Sequence, residues 1–373
     1  MRVVAIAPQL FSSQSCVTGD ATQMRMTVQA LRKISGVELD CLYYHSSDFL
    51  VSESGERIPW VQLGNRYDVA HVFAIRKTLY SKTVKTALSK LPSLLSTVYW
   101  NNAFREYIAV KNGTTKRFIL RSFEYLLRRA FGWKLKHYEP WCIGILPNSW
   151  AEGDVFRKVH RLRPYAISIP VPNAIQIPEN LADLARPDCV PNEDYIVCPG
   201  IFAPRKNQIN LIRAMKGSGI PIVFLGQRFE YVPEFYDLCR KEADENMYFL
   251  GHIPSTDDKY WAILKYARVS VLTSDCETPG IAMLESAAAG ARPVVPIHGG
   301  TQEYFGINAE YVYPTSLTSI RNAVLSAWER NRLTTEESAQ FNIFSWDWTA
   351  RLTYAAYLSA IDVFESKFRK NSI

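Results

Sequence analysis

Short apolar runs bounded by turn residues alternate with helix-period stretches along this chain, and the alternation starts twice. In the first half VVAIA (3–7) precedes the helical QMRMTVQALRKI (23–34). VELDCLYY (37–44) and YDVAHVFA (67–74) come before KTVKTALSK, and STVYW (96–100) and CIGILPNS (142–149) follow. Strand–helix order of this kind calls for crossover connections, and therefore a parallel sheet with helices on both faces. Between Ile167 and Asp194 the pattern stops: Pro170, Pro172, Pro178, Pro187 and Pro191 leave room only for a short helix over Asn180 to Leu184. It then resumes with YIVCPG (195–200), QINLIRAM, PIVFLG (221–226), MYFLGHI (247–253), YWAILKYA, VSVLT (269–273), IAMLESAAAG (281–290) and RPVVPI (292–297). The fold class expected is α/β, with two doubly wound domains. The boundaries expected are 1–170, a linker over 171–194, a second domain over 195–345, and a tail helix over 346–373 with Leu352, Ala355, Ala356, Ser359 and Val363 on its inner side.

The 373 residues suit two domains of roughly 150–200 residues each. A composition 47% hydrophobic and 21% charged excludes a disordered tail, a collagen-like fibre and a disulfide-stapled module. Seven scattered cysteines without a CxxC pair predict free thiols in a reducing cytosol. The six histidines lack metal-ligand spacing, so no structural zinc is expected. No apolar run reaches about 18 residues, and the N-terminal run reads as a first strand rather than a secretory signal.

The net charge of +7 has one source. Lys111, Lys116, Arg117, Arg121, Arg128, Arg129, Lys134 and Lys136 stand against a single acid, Glu124. At helical spacing, Leu120, Phe123, Leu126, Leu127, Ala130 and Phe131 share one arc, and Arg117, Arg121, Arg128, Arg129 and Lys136 lie on the opposite one. Three readings stay open for the Lys116–Lys136 helix: a solvated basic face, a helix docked on an anionic membrane, or one that tracks nucleic acid.

Dinucleotide, P-loop, nucleophile-elbow and DxD signatures are absent. The chemistry-bearing residues sit instead at strand-to-helix turns of the second domain, where doubly wound sheets bind ligands. After the first strand comes Gly200-Ile-Phe-Ala-Pro-Arg205-Lys206-Asn207. Two cations ahead of a helix oppose its dipole, which points to an anion held there. After VSVLT comes Ser274-Asp-Cys-Glu277-Thr-Pro-Gly280-Ile281, and Glu285 follows on an otherwise apolar helix. A carboxylate there needs partners, and paired hydroxyls such as those of a ribose would serve. A third turn, His298-Gly299-Gly300-Thr-Gln-Glu303, meets the same edge.

Together these residues resemble the retaining glycosyltransferases of the GT-B fold, family four (glycosyl transferases group 1). Three ordered motifs carry the likeness: Gly200 with Lys206, Glu277 with Glu285 eight residues on, and Gly299-Gly300 with Glu303. The resemblance implies two Rossmann-like domains facing a cleft, with the C-terminal helix crossing back to the first. It implies a nucleotide-sugar donor (UDP- or GDP-hexose), no other cofactor and no bound metal. Lys206 would neutralise the diphosphate with Arg205, and Glu277 would act on the donor sugar with the Gly280 and Ile281 amides. Glu285 would hold the ribose, Gly19 would approach the diphosphate from the other domain, and the base would lie near Gly226, His252 and Ile253. Many members carry Arg directly after the first glycine, where this chain has Ile201. On the acceptor side His71, Tyr99, Trp100 and Asn101 are candidates, and a core role for His71 is the alternative.

The expected function is transfer of a hexose, with retention, to a hydroxyl of a growing surface glycan such as lipopolysaccharide, capsule or another lipid-linked acceptor. The enzyme would be cytoplasmic, peripheral at the inner face of the membrane through its basic helix. Hydroxymethylated bases of DNA are the alternative acceptor. A degenerate nucleotide-binding scaffold and a nucleotide-sugar epimerase are the remaining readings.

Overall fold

The computed structural model describes residues 1–7, 19–73, 81–98, 137–138, 141–230 and 232–369. Tyr99, Trp100, Asn101 and the basic stretch of 116–136 lie outside them. The described residues form two compact units. One takes those up to Ala174 and from Phe344 onward; the other takes Ile175–Ile343.

In the first unit an eight-stranded sheet is built around β1 (Arg2–Ala7). Its residues beyond Arg2 are buried on both faces, as a central parallel strand requires. On one side β1 pairs with β5 (Val69–Phe73), which leads on to β6 (Ser93–Ser96), β8 (Gly144–Leu146) and β10 (Ile167–Ser168), all parallel. On the other side lies β2 (Glu38–Tyr44), with Val4 opposite Asp40. The expected parallel order breaks beyond β2. There β3 (Phe49–Ser52) and β4 (Arg57–Pro59) add an antiparallel edge, and Pro59 sits on the last strand, where its missing N–H costs no ladder bond. A separate parallel pair joins β7 (His137–Tyr138) to β9 (His160–Arg161).

Helix α1 (Gly19–Leu31) buries Met24, Val28 and Leu31, spaced one turn apart. Helices α2 (Lys82–Leu88) and α3 (Trp150–Val159) follow β5 and β8. Ser149 caps α3 by accepting from the Glu152 amide.

In the second unit six strands are all parallel: β11 (Ile196–Pro199), β12 (Ile222–Leu225), β13 (Met247–Phe249), β14 (Val269–Val271), β15 (Arg292–Pro296) and β16 (Glu310–Val312). Their spatial order is β13-β12-β11-β14-β15-β16. This is the 3-2-1-4-5-6 arrangement of a doubly wound sheet, and the order reverses between β11 and β14. Alternate residues supply two cores. Ile196, Cys198, Ile222 and Phe224 face α4 (Gln208–Met215) and α9 (Leu317–Glu329), beside α5 (Pro233–Glu242). Val197, Val223 and Leu225 face α6 (Asp258–Tyr266). Between them run α7 (Ile281–Ala288) and α8 (Thr301–Phe305). The short helix expected over Asn180–Leu184 is a single 3-10 turn, Leu181–Asp183. The Lys265 ammonium of α6 fastens it, donating to the carbonyls of Ala182 and Leu184.

The tail forms α10 (Trp346–Phe364) and packs on α1. Its inner face differs from the expected stripe. Trp346, Thr349, Ala350, Thr353, Ala356, Tyr357 and Ala360 are buried, whereas Leu352, Ser359 and Val363 are half-buried and Ala355 is exposed. Small residues let the two helices approach, and the threonines satisfy their hydroxyls locally. Thr353 donates to the Thr349 carbonyl at 2.7 Å and Thr349 to the Pro172 carbonyl at 2.8 Å. No helix among the described residues is long and apolar enough to cross a membrane.

Candidate active site

The turns that leave β11 and β14 flank the point where the strand order reverses, and both carry charge. After Pro199 the chain runs through Gly200 into a 3-10 turn, Pro204–Lys206. Arg205 and Lys206 therefore lie just ahead of α4. Asn207 intervenes in the left-handed region, with φ 56°, and redirects the chain. Its side chain holds that geometry by donating to the carbonyls of Thr273 at 3.1 Å and Pro314 at 2.8 Å. Thr273 answers by donating to the Asn207 carbonyl at 2.9 Å.

This frame brings the two turns together. The Lys206 ammonium reaches Glu277 Oε1 at 2.5 Å, and the Arg205 guanidinium stands 3.7 Å from the same oxygen. The Asp275 amide donates to the Arg205 carbonyl. The third turn joins through its backbone: Glu277 and Gly299 form a parallel bridge, and the Gly300 amide donates to the Glu277 carbonyl at 2.8 Å. Only glycine fits position 299. Its φ is 115°, and a Cβ there would collide with the Glu277 carbonyl oxygen. The same holds at Gly226, where a Cβ would strike the Gly200 carbonyl and push β11's turn away from β12's.

Glu277 and Lys206 have side chains 9% and 12% exposed, whereas Arg205 is 58% exposed. Burial alone would raise the Glu277 carboxyl, but the Lys206 and Arg205 cations outweigh it and hold it below the usual carboxylate range. Burial pulls the Lys206 ammonium down against the attraction of Glu277. The result is a largely buried ion pair with an exposed second cation at its rim, at the carboxyl edge of the sheet.

Glu285 sits beyond this cluster, on α7, and is also buried. Its partner is the Tyr260 hydroxyl on the adjacent α6, which donates to Glu285 Oε2 at 2.5 Å. Burial without a cation pushes the Glu285 carboxyl up to about 7, against the downward pull of that hydrogen bond. The signal for Tyr260 was an aromatic with a polar tip inside the apolar run YWAILKYA. Which residue it would meet depends on helix packing that periodicity does not give.

The remaining candidates are placed as follows. Gly280 and Ile281 open α7 behind the Glu277 turn. His252 is exposed and Ile253 half-buried in the loop after β13, and Glu303 is exposed on α8. Gly19 opens α1 of the first unit. His71 is buried in β5. Its Nδ1 lies 2.8 Å from the Tyr357 hydroxyl and its Nε2 2.8 Å from Ser96 Oγ, and it stacks on Phe73. Burial drops its pKa to about 3, so the ring is neutral. The described cysteines are all free thiols.

Two Rossmann-like parallel-sheet units, one with a charged ligand edge at its switch point, define the chain as GT-B in fold. The family model of the glycosyl transferases group 1 matches residues 185–340 of this chain. Solved structures match over nearly the full length. Sucrose-phosphate synthase from Thermosynechococcus elongatus is 15% identical, covering 97% of this chain and 99% of that one at a TM-score of 0.65. WaaG, a glycosyltransferase involved in lipopolysaccharide biosynthesis, is 14% identical over 98% of each chain at 0.56. The Anabaena protein Alr3699/HepE, solved in complex with UDP and glucose, is 13% identical over 100% and 99% at 0.55. At these identities the likeness is one of fold.

Proposed function

We propose that this protein is a retaining glycosyltransferase that moves a hexose from UDP or GDP to a hydroxyl of a surface glycan, with no bound metal. The observation that carries the reading is the convergence of Lys206, Arg205 and Glu277 on the switch-point edge, with Glu285 behind them. The donor's diphosphate gains negative charge as the bond to the sugar breaks. The largely buried Lys206 and the exposed Arg205 supply positive charge where it develops. Glu277 holds Lys206 in place and faces the sugar, and Glu285 accepts from the ribose hydroxyls. The acceptor hydroxyl attacks from the face the diphosphate leaves and passes its proton to the departing phosphate oxygen, so the anomeric configuration is kept. No protein nucleophile is needed, since orientation and charge do the catalysis.

The family match of residues 185–340 and the UDP and glucose bound by Alr3699/HepE support the donor assignment. The lipopolysaccharide role of WaaG supports a glycan acceptor. The basic stretch of 116–136 supports work at an anionic membrane face. The test is a screen of UDP-, GDP- and ADP-sugars by thermal shift and nucleotide release. One nucleotide class is expected to stabilise the protein and its sugar donor to be slowly hydrolysed. No stabilisation by any of them would contradict the reading, and stabilisation without turnover would favour a degenerate nucleotide-binding scaffold.

A further inference from the structure

A carboxylate offers about four lone-pair sites on two oxygens, and its terminal torsion is broad and soft. At Glu285 the structure accounts for one of these sites. Oε2 accepts from the Tyr260 hydroxyl at 2.5 Å. Oε1 has no hydrogen-bond partner among the described residues, and it is not one of the buried atoms left unpartnered, so it keeps access to solvent. Tyr260 is 6% exposed and its ring packs edge-on against Trp261 with centroids 5.9 Å apart, so the hydroxyl comes from a fixed direction. Tyr260 is on α6 and Glu285 on α7, two helices packed together. The hydrogen bond therefore sets the plane of the carboxylate and leaves Oε1 open as an acceptor. A vicinal diol presents two hydroxyl donors side by side, and a carboxylate held in one plane can take both.

We propose that Tyr260 is a positioning residue that gives the Glu285 carboxylate its selectivity for a ribonucleotide over a 2′-deoxyribonucleotide. This rests on the reading of Glu285 as the ribose acceptor and adds the residue that makes it discriminate. Tyr260 touches no reacting atom; it acts through Glu285. A carboxylate free to rotate would still accept one hydroxyl, but would lose the geometry that favours two.

The test is calorimetric titration with UDP, GDP and their 2′-deoxy counterparts against the wild type, Tyr260→Phe and Glu285→Ala. A charge-assisted hydrogen bond corresponds to about 10- to 100-fold in affinity, which is the ribo-to-deoxy ratio expected of the wild type. Tyr260→Phe is expected to lower that ratio by about 5-fold or more through weaker ribonucleotide binding, with 2′-deoxy affinity nearly unchanged. Tyr260→4-aminophenylalanine keeps the ring and a donor and is expected to retain most of the ratio. That variant also keeps the proposal testable where Tyr260→Phe fails to fold, because a collapsed ratio there would overturn it. Equal weakening of both ligands by Tyr260→Phe would mean a merely structural role and would also overturn the proposal. Loss of the ratio in Glu285→Ala with its survival in Tyr260→Phe would remove Tyr260 alone. An unchanged ratio in Glu285→Ala would remove the ribose reading itself.

Discussion

Glu277 and Glu285 are both buried glutamates eight residues apart, and their surroundings push them in opposite directions. Glu277 meets two cations and stays ionised. Glu285 meets a phenol, which donates a hydrogen bond without supplying charge, and its pKa rises from 4.5 to about 7. A carboxyl raised in the folded state stabilises the fold while it is protonated. That contribution is intact below about pH 4.5 and is lost as the pH climbs through 7. Glu285→Gln is expected to be more stable than the wild type at pH 8, by about 3 kcal/mol on the order of magnitude of the shift. The two should be nearly equal at pH 4. Urea unfolding at both values checks this, and a pH-independent difference would contradict it. At this scale the sequence showed which side chains carry charge and at which turns. It could not show that Lys206 is largely buried against Glu277 while Arg205 is exposed, because that depends on the left-handed Asn207 and its bonds to Thr273 and Pro314. It also could not show Tyr260 beside Glu285.

Legibility among the elements follows how much each one owes to its own periodicity. Helix α4 occupies QINLIRAM residue for residue, because six of its eight positions are buried and bounded by turn signals. The interior strands of the second unit are equally plain, since both their faces are apolar. Helix α10 is less so. Its buried stripe is rich in alanine and threonine, and the larger Leu352 and Val363 pull a hydropathy reading to the wrong side. The antiparallel β3 and β4 are too short to announce their direction. The rotation of α10 matters because it brings Tyr357 to His71, tying β5 to the tail helix. Tyr357→Phe leaves Nδ1 of a neutral, buried imidazole without a partner and is expected to cost about 1–3 kcal/mol. Chemical denaturation of the full chain measures it. A change below about 0.5 kcal/mol would mean that the contact does not hold α10.

For the whole molecule, the βα alternation that restarts at Tyr195 made a doubly wound second half legible, but not its strand order. Adjacency of β11 and β14 is a tertiary fact, and it turns three separate turns into one site. Gly299 and Gly226 were visible as glycines; that each permits one turn to touch the next required the backbone. The central claim is that a nucleoside diphosphate binds at this edge through Lys206. Its most direct test is calorimetric titration of UDP and GDP into the wild type and Lys206→Ala, with folding of both confirmed by circular dichroism. One nucleotide is expected to bind the wild type, and the variant is expected to bind it at least about 10-fold more weakly, as loss of a buried charge-assisted contact requires. Equal binding by the two proteins, or no binding by the wild type, would contradict the account.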